Sequence, residues 1–252
     1  MNNRILSIKS LSKVFHNKDS ETIAIKEFSL DIYEGEFVVI VGPSGCGKST
    51  LLSILSGLLK PSSGEIKYFA DPIRIGYMLQ RDHLFPWRTI LENALLGLEI
   101  QGILTEENIN KVKKQLQVYG LEKFIDKYPN ELSGGMRQRA ALIRTLATDP
   151  DILLLDEPFS SLDYQTRLAV SEDIINILKA ENKTVIMITH DLNEAISMAN
   201  RVVVMSKRPG QLKNIHQISL TSEGDTLIEK RKAPEFMDYY NKIWKELDVH
   251  VE

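Results

Sequence analysis

Short stretches of this chain are apolar at nearly every position: Phe37-Val38-Val39-Ile40-Val41, Ile152-Leu153-Leu154-Leu155, Thr184 to Thr189 and Val202 to Met205. Uninterrupted runs of that length predict strands buried on both faces, as in a parallel sheet. Ile5 to Ile8 and Phe28 to Ile32 instead alternate apolar and polar residues, which predicts a pair of half-exposed strands forming a small antiparallel layer. Glu65-Ile66-Lys67-Tyr68 and Arg74 to Leu79 predict further short strands. Helical spacing is carried by Leu51, Ile54, Leu55 and Leu58, by Tyr164 to Ala180, by a segment starting near Asp191, and by a terminal stretch with Phe236, Tyr240, Ile243 and Leu247. Between Arg81 and Asp149 the pattern is helical with little strand signal, as in Ile90 to Leu98 and Ile109 to Tyr119. This predicts a helical subdomain set into an α/β core, with Pro150 closing it.

The turn between the first buried strand and its helix reads Gly42-Pro43-Ser44-Gly45-Cys46-Gly47-Lys48-Ser49-Thr50, the phosphate-binding pattern G-x-x-x-x-G-K-[ST]. Its glycines let backbone N–H groups approach phosphates, the helix start adds its dipole, Lys48 supplies a point charge, and Ser49 presents a hydroxyl to Mg²⁺. Cys46 has a lysine and a helix start beside it, both of which favour a thiolate; the alternative is a small, inert packing residue. Asp156 and Glu157 end a buried strand at the carboxyl edge of the expected sheet, where ligands bind. One carboxylate suits Mg²⁺ and the other the attacking water of phosphoryl transfer, against the plain reading that acids simply end a strand. Leu132-Ser133-Gly134-Gly135-Met136-Arg137-Gln138 opens a helix running through Ala147, which reads either as a second anion-binding helix start or as an N-cap with a tight turn. Phe15 ends an apolar-polar segment and is either core or a platform for a base.

Composition narrows this picture. The 252 residues are 43% hydrophobic, enough for one substantial core, and the formal net charge of -3 favours neither nucleic acid nor an anionic lipid surface as the main partner. Short basic runs such as Lys111-Val112-Lys113-Lys114 and Lys230-Arg231-Lys232 read as solvated faces. Residues 1–7 lack the apolar stretch of a signal peptide and no run approaches bilayer-spanning length, so a cytoplasmic location is expected. With Cys46 the one cysteine, an intrachain disulfide and a cysteine-based zinc site are excluded.

Taken in order, these motifs resemble the ATP-binding cassette (ABC) family from Phe15 to Met205. In that family's terms Gly42 to Thr50 resembles the Walker A loop, Gln80 the Q-loop glutamine, Leu132 to Gln138 the signature, and Ile152 to Glu157 Walker B with its catalytic glutamate. Ser160-Ser161-Leu162-Asp163 resembles the D-loop, His190 the switch histidine, and Phe15 the aromatic that stacks on adenine. The resemblance implies an α/β fold, a P-loop NTPase core of ABC type with a mainly parallel sheet, a small antiparallel β layer and the inserted helices. The chain would be a single nucleotide-binding domain, with core 1–80 and 150–225, helical subdomain 81–149 and C-terminal helix 226–252. It implies an ATPase using ATP and Mg²⁺, with Glu157 and His190 catalytic and Ser49, Gln80 and Asp156 on the metal. It also implies a head-to-tail homodimer, or a pair with a second cassette. Each ATP lies between one Walker A loop and the other copy's Ser133, Gly134 and Gly135, with Asp163 at the contact.

Leu84-Phe85-Pro86-Trp87-Arg88-Thr89 and Arg208-Pro209-Gly210 resemble cassettes of the nitrate, sulfonate and taurine importer group. That implies transmembrane permease subunits and a separate solute-binding protein as partners, no nucleic acid, and a place on the inner face of the membrane. Phe85, Pro86 and Trp87 are then either subdomain core or a groove for a permease helix. An exporter or lipid-extraction complex would use the same core, and a soluble ABC-type ATPase acting on DNA or ribosomes is a further alternative. The long C-terminal regulatory domain of some sugar-importer cassettes is not matched, so no such regulation is implied.

Overall fold

A computed structural model describes residues 3–17, 20–160 and 162–247. The chain forms two compact units, Met1–Ile73 with Asn182–Glu252, and Arg74–Glu181.

In the first unit, β1 (Arg4–Asn17) and β2 (Ser20–Tyr33) pair antiparallel, and β3 (Phe37–Val41) leads through the glycine loop into α1 (Lys48–Leu55). β4 (Ser63–Tyr68) pairs with the other side of β1, giving the order β2-β1-β4. β1 and β2 extend beyond the alternating segments because two kinks interrupt the pattern without ending the strands. Ser10 (φ 46) and Glu27 (φ 49) turn left-handed, and their N–H groups donate to Ser29 Oγ at 2.8 Å and Ser12 Oγ at 3.0 Å instead of to the ladder.

The second unit comprises β5 (Ile75–Met78), α2 (Ile90–Ile100), α3 (Glu106–Val118), α4 (Gly134–Leu146), β6 (Ile152–Asp156) and α5 (Tyr164–Ala180). β5 and β6 are parallel, so both deliver their carboxyl ends to one edge. The helical stretch 81–149 lies inside this unit. Side-chain caps start its helices: Thr89 for α2, Thr105 for α3, Ser133 for α4 and Asp163 for α5.

The chain completes the first unit with β7 (Thr184–Ile188), α6 (Leu192–Met198), β8 (Arg201–Met205), β9 (Leu212–Gln217), α7 (Leu227–Arg231) and α8 (Phe236–Glu246). β3 lies between β7 and β8 and parallel to both, and all of its residues are buried, as its unbroken apolar run requires. β9 runs antiparallel to β8 and closes that side.

Candidate functional site

β3 carries the first unit's candidate residues to the carboxyl end of its parallel strands. The loop that follows turns sharply at Gly47, whose φ of 111 is left-handed and where a Cβ would stand 2.8 Å from the Ala24 carbonyl oxygen. Gly47 is also the N-cap of α1 and offers no side chain to it, and the first turn of α1 holds no acid. A helix start leaves N–H groups that its own helix cannot bond, so this end is suited to an external anion. Lys48 is buried, and its ammonium donates to the carbonyl oxygens of Gly42 at 2.7 Å and Pro43 at 3.1 Å, which fixes the charge inside the loop. Ser44, Gly45 and Ser49 are exposed on the same turn, while Pro43 and Thr50 are half-buried.

Cys46 does not follow the reactive expectation. It is 1% exposed, and burial pushes its thiol above the ordinary value, outweighing the opposing pull of Lys48, whose ammonium lies 3.9 Å from the sulfur. Its place is that of a packing residue behind the loop: a Cβ on Gly42 would stand 3.0 Å from the sulfur. Phe15 lies on β1 with 37% of its surface exposed, and the Lys13 ammonium sits 5.1 Å from its ring centre. His190 is exposed immediately beyond β7, between buried Thr189, which donates to Glu194 at 2.7 Å, and Asp191, which caps α6.

In the second unit, β5 and β6 place Gln80, Asp156 and Glu157 at neighbouring strand ends. The Tyr77 hydroxyl donates to Asp156 Oδ2 at 3.3 Å, and Gln80 Nε2 donates to Glu157 Oε2 at 3.2 Å. Glu157 has φ 45, a strained backbone for a non-glycine residue, and its carbonyl accepts from Ser160 N–H at 3.2 Å and Ser160 Oγ at 3.0 Å. Asp163 caps α5 by accepting from Thr166 N–H at 3.1 Å, and its hydrogen bonds with Thr166 hold its carboxyl below the usual range. Ser161 lies outside the described residues.

Ser133 is exposed and caps α4 by accepting from Met136 N–H at 3.3 Å. Gly135 is needed for packing: a Cβ there would lie 2.9 Å from Thr166 Cγ2 and Val170 Cγ2 of α5. Gly134 is half-buried beside it.

Some contributors escape sequence reasoning. Asp82 binds Arg137 Nε at 3.0 Å and so ties the segment after Gln80 to the start of α4. Asn93, fully buried, accepts from Phe85 N–H at 2.7 Å and donates to the carbonyls of Phe85, Arg88 and Thr89 at 3.1, 3.0 and 2.9 Å. The visible signal was an amide at a buried position of an apolar helix, where it must find partners. Anchored this way, the loop stacks Phe85 on Trp87 with ring centroids 4.9 Å apart, and leaves Trp87 70% exposed. Trp87 is thus surface and not subdomain core. As donors for a hard cation, Ser49 in the first unit, and Gln80 and Asp156 in the second, each offer an oxygen ligand, the chemistry that Mg²⁺ selects.

The ABC transporter family model matches residues 25–160. An ABC transporter ATP-binding protein of Bacillus subtilis, YtlC, is 43% identical over 96% of this chain and 95% of its own length. The nitrate import ATP-binding protein NrtD of Synechocystis is 40% identical, covering 94% of this chain and 93% of its own. The dimeric post-hydrolysis structure of the ATP-binding cassette MJ0796, bound to ADP and Pi, superposes with TM-score 0.73 at 33% identity, covering 85% of this chain and 99% of that one. Among the described residues no helix is long and apolar enough to cross a membrane. A phosphate loop before an uncapped helix, carboxylates at parallel strand ends, and relatives matched nearly end to end leave one assignment: this chain belongs to the ABC transporter family, as its ATP-hydrolysing cassette.

Proposed function

We propose that this cassette drives an importer of small anions such as nitrate, sulfonate or taurine, working with transmembrane permease subunits and a separate solute-binding protein at the inner face of the membrane. The observation that carries its nucleotide chemistry is the uncapped start of α1 with Lys48 set inside the loop. ATP phosphates rest on residues Gly42 to Thr50, and Phe15 stacks on the base. Ser49, Gln80 and Asp156 would hold Mg²⁺, and the ion would there supply neutralisation of phosphate charge. Glu157 accepts the proton of the attacking water, the Gln80 amide orients that carboxylate, and His190 donates to the terminal phosphate. Ser133, Gly134 and Gly135 complete the site from a second cassette, and Asp163 lies at that contact. ATP favours this closed, head-to-tail pair, and hydrolysis reopens it. The dimeric MJ0796 cassette with ADP and Pi supports the pairing by likeness.

The import reading leans on the nitrate import relative and on the exposed aromatic stack of Phe85 and Trp87, an apolar surface fitted to a short permease helix. Trp87→Glu is expected to abolish co-purification with the permease in mild detergent while basal ATPase activity persists, since the side chain is mostly outside the core. Retained co-purification would reject the docking role. Competition uptake with nitrate, sulfonates and sugars tests the solute: inhibition by the anions is expected, and inhibition by a sugar alone would overturn the assignment.

A further inference from the structure

α8 is apolar on two faces. One face buries Phe236 and Ile243 against the first unit, as an amphipathic helix should. The other turns outward: Met237 is 57% and Trp244 43% exposed, and the Tyr240 ring stacks on Trp244 with centroids 6.1 Å apart and planes within 8°. Met237, Tyr240 and Trp244 repeat at the spacing of a helix-pairing seam. Asn241 is exposed next to the middle of that stripe, and Asp238 and Lys245 flank it on one side, about two turns apart. Neither Asp238 nor Lys245 has an ion-pair partner among the described residues.

We infer that α8 pairs antiparallel with α8 of a second copy of this chain, about a two-fold axis passing beside Asn241. The helix is complementary to itself in that orientation. Residues equally far on either side of the axis, to within one position, meet, and equal flanks face each other. Met237 then packs on the second copy's Trp244, and Asp238 faces the second copy's Lys245, with each contact made twice. Asn241 meets its own counterpart at the centre, where an amide pair fixes register. Parallel pairing would turn the Asp238 and Lys245 flanks of the two copies to opposite sides of the seam, so neither charge pair would form.

A single helix pair is smaller than a standard stable interface, so the contact is weak by itself. Its effect is to raise the local concentration of one cassette around the other while the nucleotide sites are empty. The surface involves neither the phosphate loop nor Ser133, so it operates without nucleotide.

Disulfide trapping of the full-length, nucleotide-free protein decides it, because buried Cys46 contributes no background. Asn241→Cys under mild oxidation should give a cross-linked dimer about ten-fold above the collision level reported by an exposed control position on α3, Lys114→Cys. Adding Trp244→Ala should lower the yield about ten-fold, as loss of a central aromatic anchor does. Asp238→Lys or Lys245→Asp alone should lower it as well, and the two reversals together should restore it, since a symmetric charge swap rebuilds both pairs. Yield at the control level, unchanged yield after single reversals, or no recovery in the double reversal each overturns the pairing.

Discussion

α1 and α4 both start from glycine-rich turns, Gly45-Cys46-Gly47 and Ser133-Gly134-Gly135, yet their first turns are prepared for opposite uses. At α1 the N-cap is Gly47, without a side-chain cap, and Lys48 is buried with its ammonium against the loop carbonyls. At α4 Ser133 caps the helix, and the nearby cation is already engaged: Arg137 binds Asp82 through Nε at 3.0 Å and the Leu132 carbonyl through Nη1 at 2.9 Å. The magnitudes separate them. A bare helix start contributes about 0.3–1 kcal/mol to holding an anion, and a charge-assisted hydrogen bond adds about 1.5–3 kcal/mol. The α1 start has both contributions, so single-copy nucleotide affinity is expected there. The α4 start has at most the weaker one, which suits a surface that adds to a phosphate already held elsewhere.

The largest effect expected also makes the comparison measurable. Glu157→Gln should leave ATP binding intact and slow turnover about a hundred-fold or more, the scale of a lost general base. ATP-bound dimer should then accumulate, giving a state in which each helix start is scored separately. Wild-type turnover in this variant would remove Glu157 from that role.

Lys48→Ala comes next. Removing the buried ammonium should weaken ATP binding about ten- to a hundred-fold, measured by titration calorimetry on the monomer. Unchanged affinity would break the assignment of binding to the α1 start.

Ser133→Asp, read in the Glu157→Gln background, isolates the α4 start. Aspartate is as good an N-cap as serine, so the melting temperature should hold. A carboxylate facing a phosphate would repel it, so ATP-driven dimerisation should weaken at least about ten-fold while monomer affinity is unchanged. Dimerisation at the parent level would leave Ser133 with capping alone. Ser133→Ala should in turn cost about 1 kcal/mol of stability through the lost cap.

How far the sequence foretells these roles depends on whether the signal is local. α5 matches its expected span, Tyr164 to Ala180, because the Asp163 cap and the apolar period are both written in adjacent residues. β3 and β6 follow from unbroken apolar runs in the same way. β9 does not: Leu212-Lys213-Asn214-Ile215-His216-Gln217 has too few apolar residues to declare itself, and it is a strand through its pairing with β8 and through Glu246, which accepts from Asn214 at 2.8 Å and meets His216 Nε2 at 2.9 Å. The same holds within the site. Lys48, Asp156 and Glu157 are legible as motif residues, and Asn93 could be suspected as an amide in an apolar helix with its partners close by in the chain, whereas Asp82 acts through Arg137, 55 residues away, and no spacing rule points to it.

Cys46 gives the smallest effect and the last way to sharpen the comparison, since exposure is the property a motif does not encode. A lysine neighbour and a helix start argue for a thiolate, and Lys48 does pull that way, but the cost of burying the charged form is larger and dominates. The sign follows directly: a raised pKa keeps the thiol protonated at neutral pH and moves the thiolate to more alkaline conditions. Maleimide labelling of the folded protein should therefore be slow at pH 7, rise with pH, and become fast only in denaturant. Cys46→Ser should retain ATP binding, because the side chain packs behind the loop while the phosphates meet its N–H groups. Labelling at pH 7 as fast as that of a small free thiol, with protection by MgATP, would return Cys46 to the phosphate-facing side and show that the α1 start opens further than its packing at Gly42 and Lys48 allows.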